Sequence, residues 1–242
     1  MNVLLTRPLN QVKSLEALVN ESGHQAILFP TLKIEALKSA PLKERYDVVI
    51  FISANAVEYG LEALSSLNHN HDQIFAVGAA TAKKLDHHGF KVDAFPQDKA
   101  SSESLLAMGE VKKLSNKDIL IFRGKGGRET LKEGLGSNNV VEYIEVYRRV
   151  RCNVKTLHAE SLTQFLSSKE GVITITSVEN LSTMMSIIEQ INADAMAHIK
   201  QYPLVVLSDR IKTYAQSVGF NRVEVAPKTN DAGLVEALGF IQ

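Results

Sequence analysis

A single cysteine, Cys152, is all the thiol this sequence holds. An intramolecular disulfide is excluded, as is a zinc site built from several thiolates, and nothing favours an oxidising compartment. Net charge is lacking too, since 27 basic residues balance 27 acidic ones. Binding a nucleic-acid backbone needs a basic excess to neutralise phosphates, so no nucleic-acid partner is expected beyond what a local cluster would hold. No apolar run approaches the ~20 residues of a membrane span; Val48-Val49-Ile50-Phe51-Ile52 is among the longest. The opening Met1-Asn2-Val3-Leu4-Leu5-Thr6-Arg7-Pro8 carries neither the basic nor the long apolar region of a secretory signal. A cytoplasmic protein without a membrane partner is the expectation.

What is present reads as α/β. The chain has 242 residues, 45% of them hydrophobic and 22% charged, which suits two ordinary folded domains. Short apolar runs at 3–6, 26–29, 48–53, 74–77, 119–122, 140–146, 172–176 and 204–208 are candidate strands. Several are almost wholly apolar, as parallel strands covered on both faces are. Amphipathic stretches lie between them: Val12, Leu15, Leu18 and Val19 share a helical face, as do Val57, Leu61 and Leu64, and Leu181, Met184, Met185 and Ile188. Alternation of this kind predicts parallel sheets flanked by helices.

The sequence also repeats itself. Val48 to Asn55 resembles Val172 to Glu179 at an offset of 124. Ala76-Val77-Gly78 resembles Val206-Leu207-Ser208, and Gly89-Phe90 matches Gly219-Phe220, both at 130. Phe95-Pro96 resembles Ala226-Pro227, and Leu4 to Pro8 pairs with Leu120 to Gly124. The ordered series points to two related α/β units with different loop lengths. Two stretches read as crossings between them: 30–41, with Pro30 and Pro41, and 145–154, where an apolar strand gives way to Tyr147-Arg148-Arg149-Val150-Arg151.

Residues after the candidate strands are small, hydroxylic or basic: Thr6-Arg7-Pro8, Ser53-Ala54-Asn55, Gly78-Ala79-Ala80-Thr81, Arg123-Gly124-Lys125-Gly126-Gly127-Arg128, Thr176-Ser177 and Ser208-Asp209-Arg210. Helix N-termini bind anions through exposed N–H groups, and Arg donates two parallel hydrogen bonds to carboxylates and phosphates. Capping alone accounts for most of the Ser and Thr. The Gly-rich stretch at 123–128 is the sharpest signal. It lacks Gly-Lys-Ser/Thr, and Glu129 stands where a dinucleotide fingerprint has its third glycine. It reads either as an anion-binding turn flanked by two guanidiniums or as an ordinary turn with solvated charges. His69-Asn70-His71-Asp72 and His87-His88 lack helical ligand spacing, so no metal is expected. Lys125 and Lys212 have no recognisable apolar pocket around them.

Taken in order, these segments resemble the uroporphyrinogen-III synthase family. The match runs through Val3 to Pro8, Phe29-Pro30, Phe51 to Val57, Ala76 to Ala82, Phe95 to Asp98 with Ser102 to Leu106, Ile121 to Glu129, Tyr147-Arg148-Arg149, Thr176-Ser177 and Val206 to Arg210. The resemblance implies two similar lobes, each a parallel β-sheet flanked by helices, joined by a two-stranded connector, with the active site between them. Mapped here, lobe one is 1–33 plus 150–242 and lobe two is 37–145, with connectors near 33–37 and 145–150. It further implies cyclisation of hydroxymethylbilane, with loss of water and inversion of ring D, by a monomer needing no cofactor. A transient contact with hydroxymethylbilane synthase is a further option. By resemblance Tyr147 is the proton donor and Thr81 binds a substrate carboxylate. Arg7, Ser53, Asn55, Ser177, Ser208, Arg123 and Arg128 are further substrate-binding candidates. Ser208-Asp209-Arg210 departs from the family's Gly-x-Thr-Thr type of turn. A two-lobed periplasmic-binding-like ligand sensor without catalysis is the competing reading.

Overall fold

The computed structural model describes residues 1–67, 71–168 and 170–241. The chain divides into two compact units, Met1–Ile34 with Val150–Gln242, and Glu35–Arg149.

The first unit holds a five-stranded sheet of β1 (Asn2–Leu5), β2 (Gln25–Leu28), β8 (Gly171–Ile175), β9 (Leu204–Val206) and β10 (Val223–Val225), in the order β10-β9-β8-β1-β2. All neighbours pair in parallel. Around it lie a 3-10 turn (Leu9–Gln11), α1 (Lys13–Glu21), α7 (Thr156–Leu166), α8 (Val178–Ile191), α9 (Ala195–Ile199), α10 (Asp209–Ser217) and α11 (Asp231–Leu238). β8 is buried along its whole length, with apolar cores on both faces: Ile173 and Ile175 pack with α7 and α8, and Val172 packs with α1 and α11. Unbroken apolar strands in the sequence follow from this two-sided cover.

The second unit holds β3 (Leu32–Ala36), β4 (Tyr46–Phe51), β5 (His71–Ala76), β6 (Asp118–Gly124) and β7 (Val140–Arg151), in the order β3-β7-β6-β4-β5. β4 to β7 are mutually parallel. Its helices are α2 (Ala54–Ser65), α3 (Ala79–His87), α4 (Ser102–Ala107), α5 (Gly109–Lys112) and α6 (Thr130–Leu135). β3 and β7 are the two chain segments that pass from one unit to the other. Leu37 N–H donates to Val146 O and Cys152 N–H to Thr31 O, both at 2.9 Å, so the two segments run antiparallel.

The spatial orders repeat. β8, β9, β1 and β2 occupy the places of β4, β5, β6 and β7, and an isolated bridge at Ala94 beside Phe75 stands where β10 does. Gly89 and Gly219 both take positive φ, 82° and 97°, after α3 and α10, where a side chain would be strained.

Three sequence expectations need correction. β3 and β10 were not among the candidate strands, and β7 continues to Arg151 instead of ending at 146. β10 is only three residues long. Along the connector, exposed Arg148, Arg149 and Arg151 interrupt any apolar run, and pairing is completed by the partner strand. An ion pair from Arg148 to Glu35, 2.9 Å, crosses it.

α2 lies close on its sheet because residue 60 has no side chain. A Cβ at Gly60 would stand 2.6 Å from Cδ1 of Phe122, whose ring stacks on Phe51 with centroids 4.4 Å apart. In an open helix Gly→Ala gains about 1 kcal/mol. Here overpacking, at about 1–3 kcal/mol, is the larger effect. Gly60→Ala should therefore lower the urea midpoint with m unchanged.

At the other end of β4, burial, and then the hydrogen bond to Glu142, push the Tyr46 phenol up to about 12. An unfolded tyrosine titrates near ~10, so below that pH both states keep the proton and the stabilisation is complete. Above it the unfolded chain releases its proton first, and stability falls until the folded phenol also ionises. Urea melts from about pH 9 to about pH 12 should show this limb in the wild type and a flatter one in Tyr46→Phe.

Candidate functional site

Parallel pairing brings β4, β5, β6 and β7 out of their sheet at one edge, so the turns that follow them are neighbours. After β4, Ser53 takes extended backbone (φ −167°, ψ 160°), and its Oγ accepts the Ala56 N–H at 3.0 Å, capping α2. The same Oγ lies 3.2 Å from the Tyr147 hydroxyl. Asn55, half-buried, stands in the first turn of α2.

Tyr147 is 5% exposed. A register shift between β6 and β7 aims it: Arg123 faces Glu145, but the next residue, Gly124, faces Tyr147. The ring then lies over Gly124, where a Cβ would be 2.5 Å from Cζ. Tyr59 of α2 flanks it, centroids 6.0 Å apart, and Lys125 N–H donates to the Tyr147 carbonyl at 2.7 Å.

On the adjoining turn, Thr81 is buried in the first turn of α3. Gly78 precedes that helix and supplies no capping side chain. It must be glycine, because a Cβ would meet the Ala100 Cβ at 2.3 Å. The small residues Gly78, Ala79 and Ala80 leave the first N–H groups of α3 without a side-chain cap, which suits an anion.

The Gly-rich stretch at 123–128 differs from a turn flanked by two guanidiniums. Arg123 is 3% exposed and folds into its own loop. Its three nitrogens donate to Gly124 O (3.3 Å), Glu129 Oε1 (2.9 Å) and Gly126 O (2.6 Å). The guanidinium lies 4.3 Å above the Tyr143 ring centroid. Arg128 is exposed and paired with Glu103.

Sheet one offers the matching edge. Arg7, after β1, pairs with Asp231 at the start of α11. Ser177, after β8, caps α8 by accepting the Asn180 N–H, and donates its own proton to Asn180 Oδ1 at 2.9 Å. Ser208 occupies the N-cap of α10 with no side-chain capping bond. Asn180 is a buried hub that sequence reading missed. Its Oδ1 also accepts from Thr176 (2.7 Å), and its Nδ2 donates to Thr31 Oγ1 (2.7 Å) and Thr6 O (3.3 Å). The one signal was an amide side chain three residues after a capping serine. Tyr59 and the role of Gly124 in admitting Tyr147 were also missed, since both depend on contacts between distant segments.

Elsewhere, His69 and Asn70 lie outside the described residues, Asp72 pairs with Arg45, and the His87 and His88 rings meet edge-on at 5.6 Å. Among the described residues no three His, Cys, Asp or Glu side chains gather to hold a metal ion, and no helix is long and apolar enough to cross a membrane. Lys125 is exposed. Burial pushes the Cys152 thiol up.

Residues 13–236 match the family model for uroporphyrinogen-III synthase HemD. The chain is 27% identical to uroporphyrinogen-III synthase of Escherichia coli K12, over 98% of this chain and all of that one. It is 29% identical to the Salmonella typhimurium enzyme of the same name over the same shares. Among solved structures, uroporphyrinogen-III synthetase from Helicobacter pylori superposes with a TM-score of 0.66 at 18% identity, covering 99% of both chains. That likeness is one of fold. The chain belongs to the uroporphyrinogen-III synthase family. The ligand-sensor reading finds no support in these matches.

Arg123→Lys tests the loop. An ammonium on a flexible stem does not reproduce the three-way fork, and an unpaired buried acceptor costs about 1–3 kcal/mol. The variant should lose urea stability and be cut faster by protease at 124–128. Arg128→Ala, which removes an exposed pair, should change stability by less than about 1 kcal/mol.

Proposed function

We propose that this chain closes hydroxymethylbilane to uroporphyrinogen III, a lyase reaction in which water leaves and ring D is inverted, with Tyr147 as the proton donor. The observation that carries the assignment is the buried Tyr147 phenol at the carboxyl edge of the strands, its hydroxyl 3.2 Å from Ser53. The family match supports the reaction.

The linear substrate loses its terminal hydroxyl as water, leaving an electrophilic azafulvene. The substituted carbon of ring D attacks this centre to give a spiro intermediate. Ring D then detaches and recloses inverted. A phenol suits the first step because it can hand a proton to the departing hydroxyl. Free in water, the substrate closes without inversion, so much of the enzyme's task is to hold one conformation.

Eight carboxylates on the substrate call for donors. Thr81 and the bare first turn of α3 suit one of them, and Asn55, in the first turn of α2 after the adjacent strand, suits another. Arg7 and Ser208 are the corresponding candidates in the first unit, and Arg128 is a peripheral one. The Ser177 hydroxyl and the Arg123 guanidinium are engaged by the protein, so in this reading they shape turns and do not bind substrate. This chemistry calls for no metal or organic cofactor. A monomer working in the cytoplasm completes this reading. The instability of the substrate favours a transient contact with hydroxymethylbilane synthase.

The test is to add chelator-treated protein to freshly made hydroxymethylbilane and resolve the porphyrinogen isomers. The type III isomer is expected. Tyr147→Phe should lower turnover by about a hundredfold or less, the low end for a general acid, and raise the type I fraction. Thr81→Val should weaken substrate binding by about 1.5–3 kcal/mol, the value of a charge-assisted hydrogen bond. Wild-type rate and pure type III product from Tyr147→Phe would leave Tyr147 a packing residue.

A further inference from the structure

We infer that Ser53 is a positioning residue for Tyr147: it donates its only proton to the phenolic oxygen and so leaves the phenolic proton free for the departing hydroxyl. This rests on the reading of Tyr147 as proton donor.

A serine hydroxyl has one proton and two lone pairs. At Ser53 one lone pair is taken by the Ala56 N–H at 3.0 Å, so the oxygen is fixed at the head of α2. The Tyr147 oxygen stands 3.2 Å away. Distance alone leaves open which group donates.

The duplicated turn decides it. Ser177 is the counterpart of Ser53, in the same extended conformation and capping the N–H three residues on. Its proton goes to Asn180 Oδ1 at 2.9 Å, and Thr176 donates to the same oxygen at 2.7 Å. In the second unit the residues at those places are Ala56 and Ile52. Neither carries an acceptor side chain. Among the described residues, the side-chain oxygen the structure sets against the Ser53 hydroxyl is that of Tyr147, 3.2 Å away. If the phenol donated to Ser53 instead, its own proton would be turned away from substrate, and the serine proton would be left to find another acceptor.

Tyr147 cannot easily turn away from this bond. Gly124 receives its ring, Tyr59 flanks it, and its carbonyl accepts from Lys125. One copy of the repeat has tied its serine into a structural hub, while the other has left its serine to orient a phenol.

Single-turnover rates and isomer ratios on four variants test the inference. Ser53→Gly removes the hydroxyl, and Gly at an N-cap costs only a few tenths of a kcal/mol, so folding is retained. It should lower kcat about tenfold and raise the type I fraction, with KM changed less than about twofold. Ser53→Thr, which keeps both cap and proton, should restore the rate. In a Tyr147→Phe background Ser53→Gly should cost nothing further, because the proton it orients is gone. An unchanged kcat in Ser53→Gly would overturn the inference. So would an equal loss in both backgrounds, which would make Ser53 a direct substrate contact or a cap. A full rate in Tyr147→Phe alone would instead overturn the assignment of Tyr147, and this inference with it.

Discussion

Parallel strand pairing is the constraint on which everything else here rests. Strands that all run one way must be joined by crossovers, and the crossovers cover both faces with helices. Within each sheet every carboxyl end then falls on one edge, apart from that of β3, which runs antiparallel to β7. Residues that are far apart in sequence, such as Ser53, Gly124 and Tyr147, become neighbours at that edge. The same geometry points helix N-termini there, which suits anions.

On that edge, glycines set the finer spacing. Gly60 lets α2 settle against Phe122, and Gly124 makes room for the Tyr147 ring. Gly78 admits the backbone around Ala100 beneath the start of α3. None of the three has the positive φ that would demand glycine for its backbone; each is needed for close approach. Their cost is backbone entropy, offset by the packing they permit.

The two units share strand order, cap geometry and helix stops, yet their edges have diverged. The first buries a hydrogen-bonded cluster of Thr6, Thr31, Thr176, Ser177 and Asn180 that joins β1, β8 and the entry to the connector. Satisfied polar networks of this kind rigidify what they join. The second spends its equivalent serine on a tyrosine supplied by the connector strand. Arg123, the sharpest basic residue in the sequence, turned inward for a related reason. Its loop contains three glycines, and the guanidinium fork donates to the Gly124 and Gly126 carbonyls together.

From the sequence alone came the α/β class, eight of the ten strands found among the described residues, the duplication, and the small, polar turns where chemistry would sit. Those features are local. Apolar runs record two-sided burial, and repeated turn residues record repeated caps. β3 and β10 escaped, because a connector strand and a three-residue edge strand bury too little to leave an apolar run. Which serine faces a phenol, which arginine is consumed by its own loop, and which glycine receives a ring were settled only by tertiary structure. The arginine depends on how the 123–129 loop folds back on itself, and the serine and the glycine each depend on a distance of a few ångströms between segments up to 94 residues apart. Pairing register and packing set that distance, and no single segment carries a trace of it.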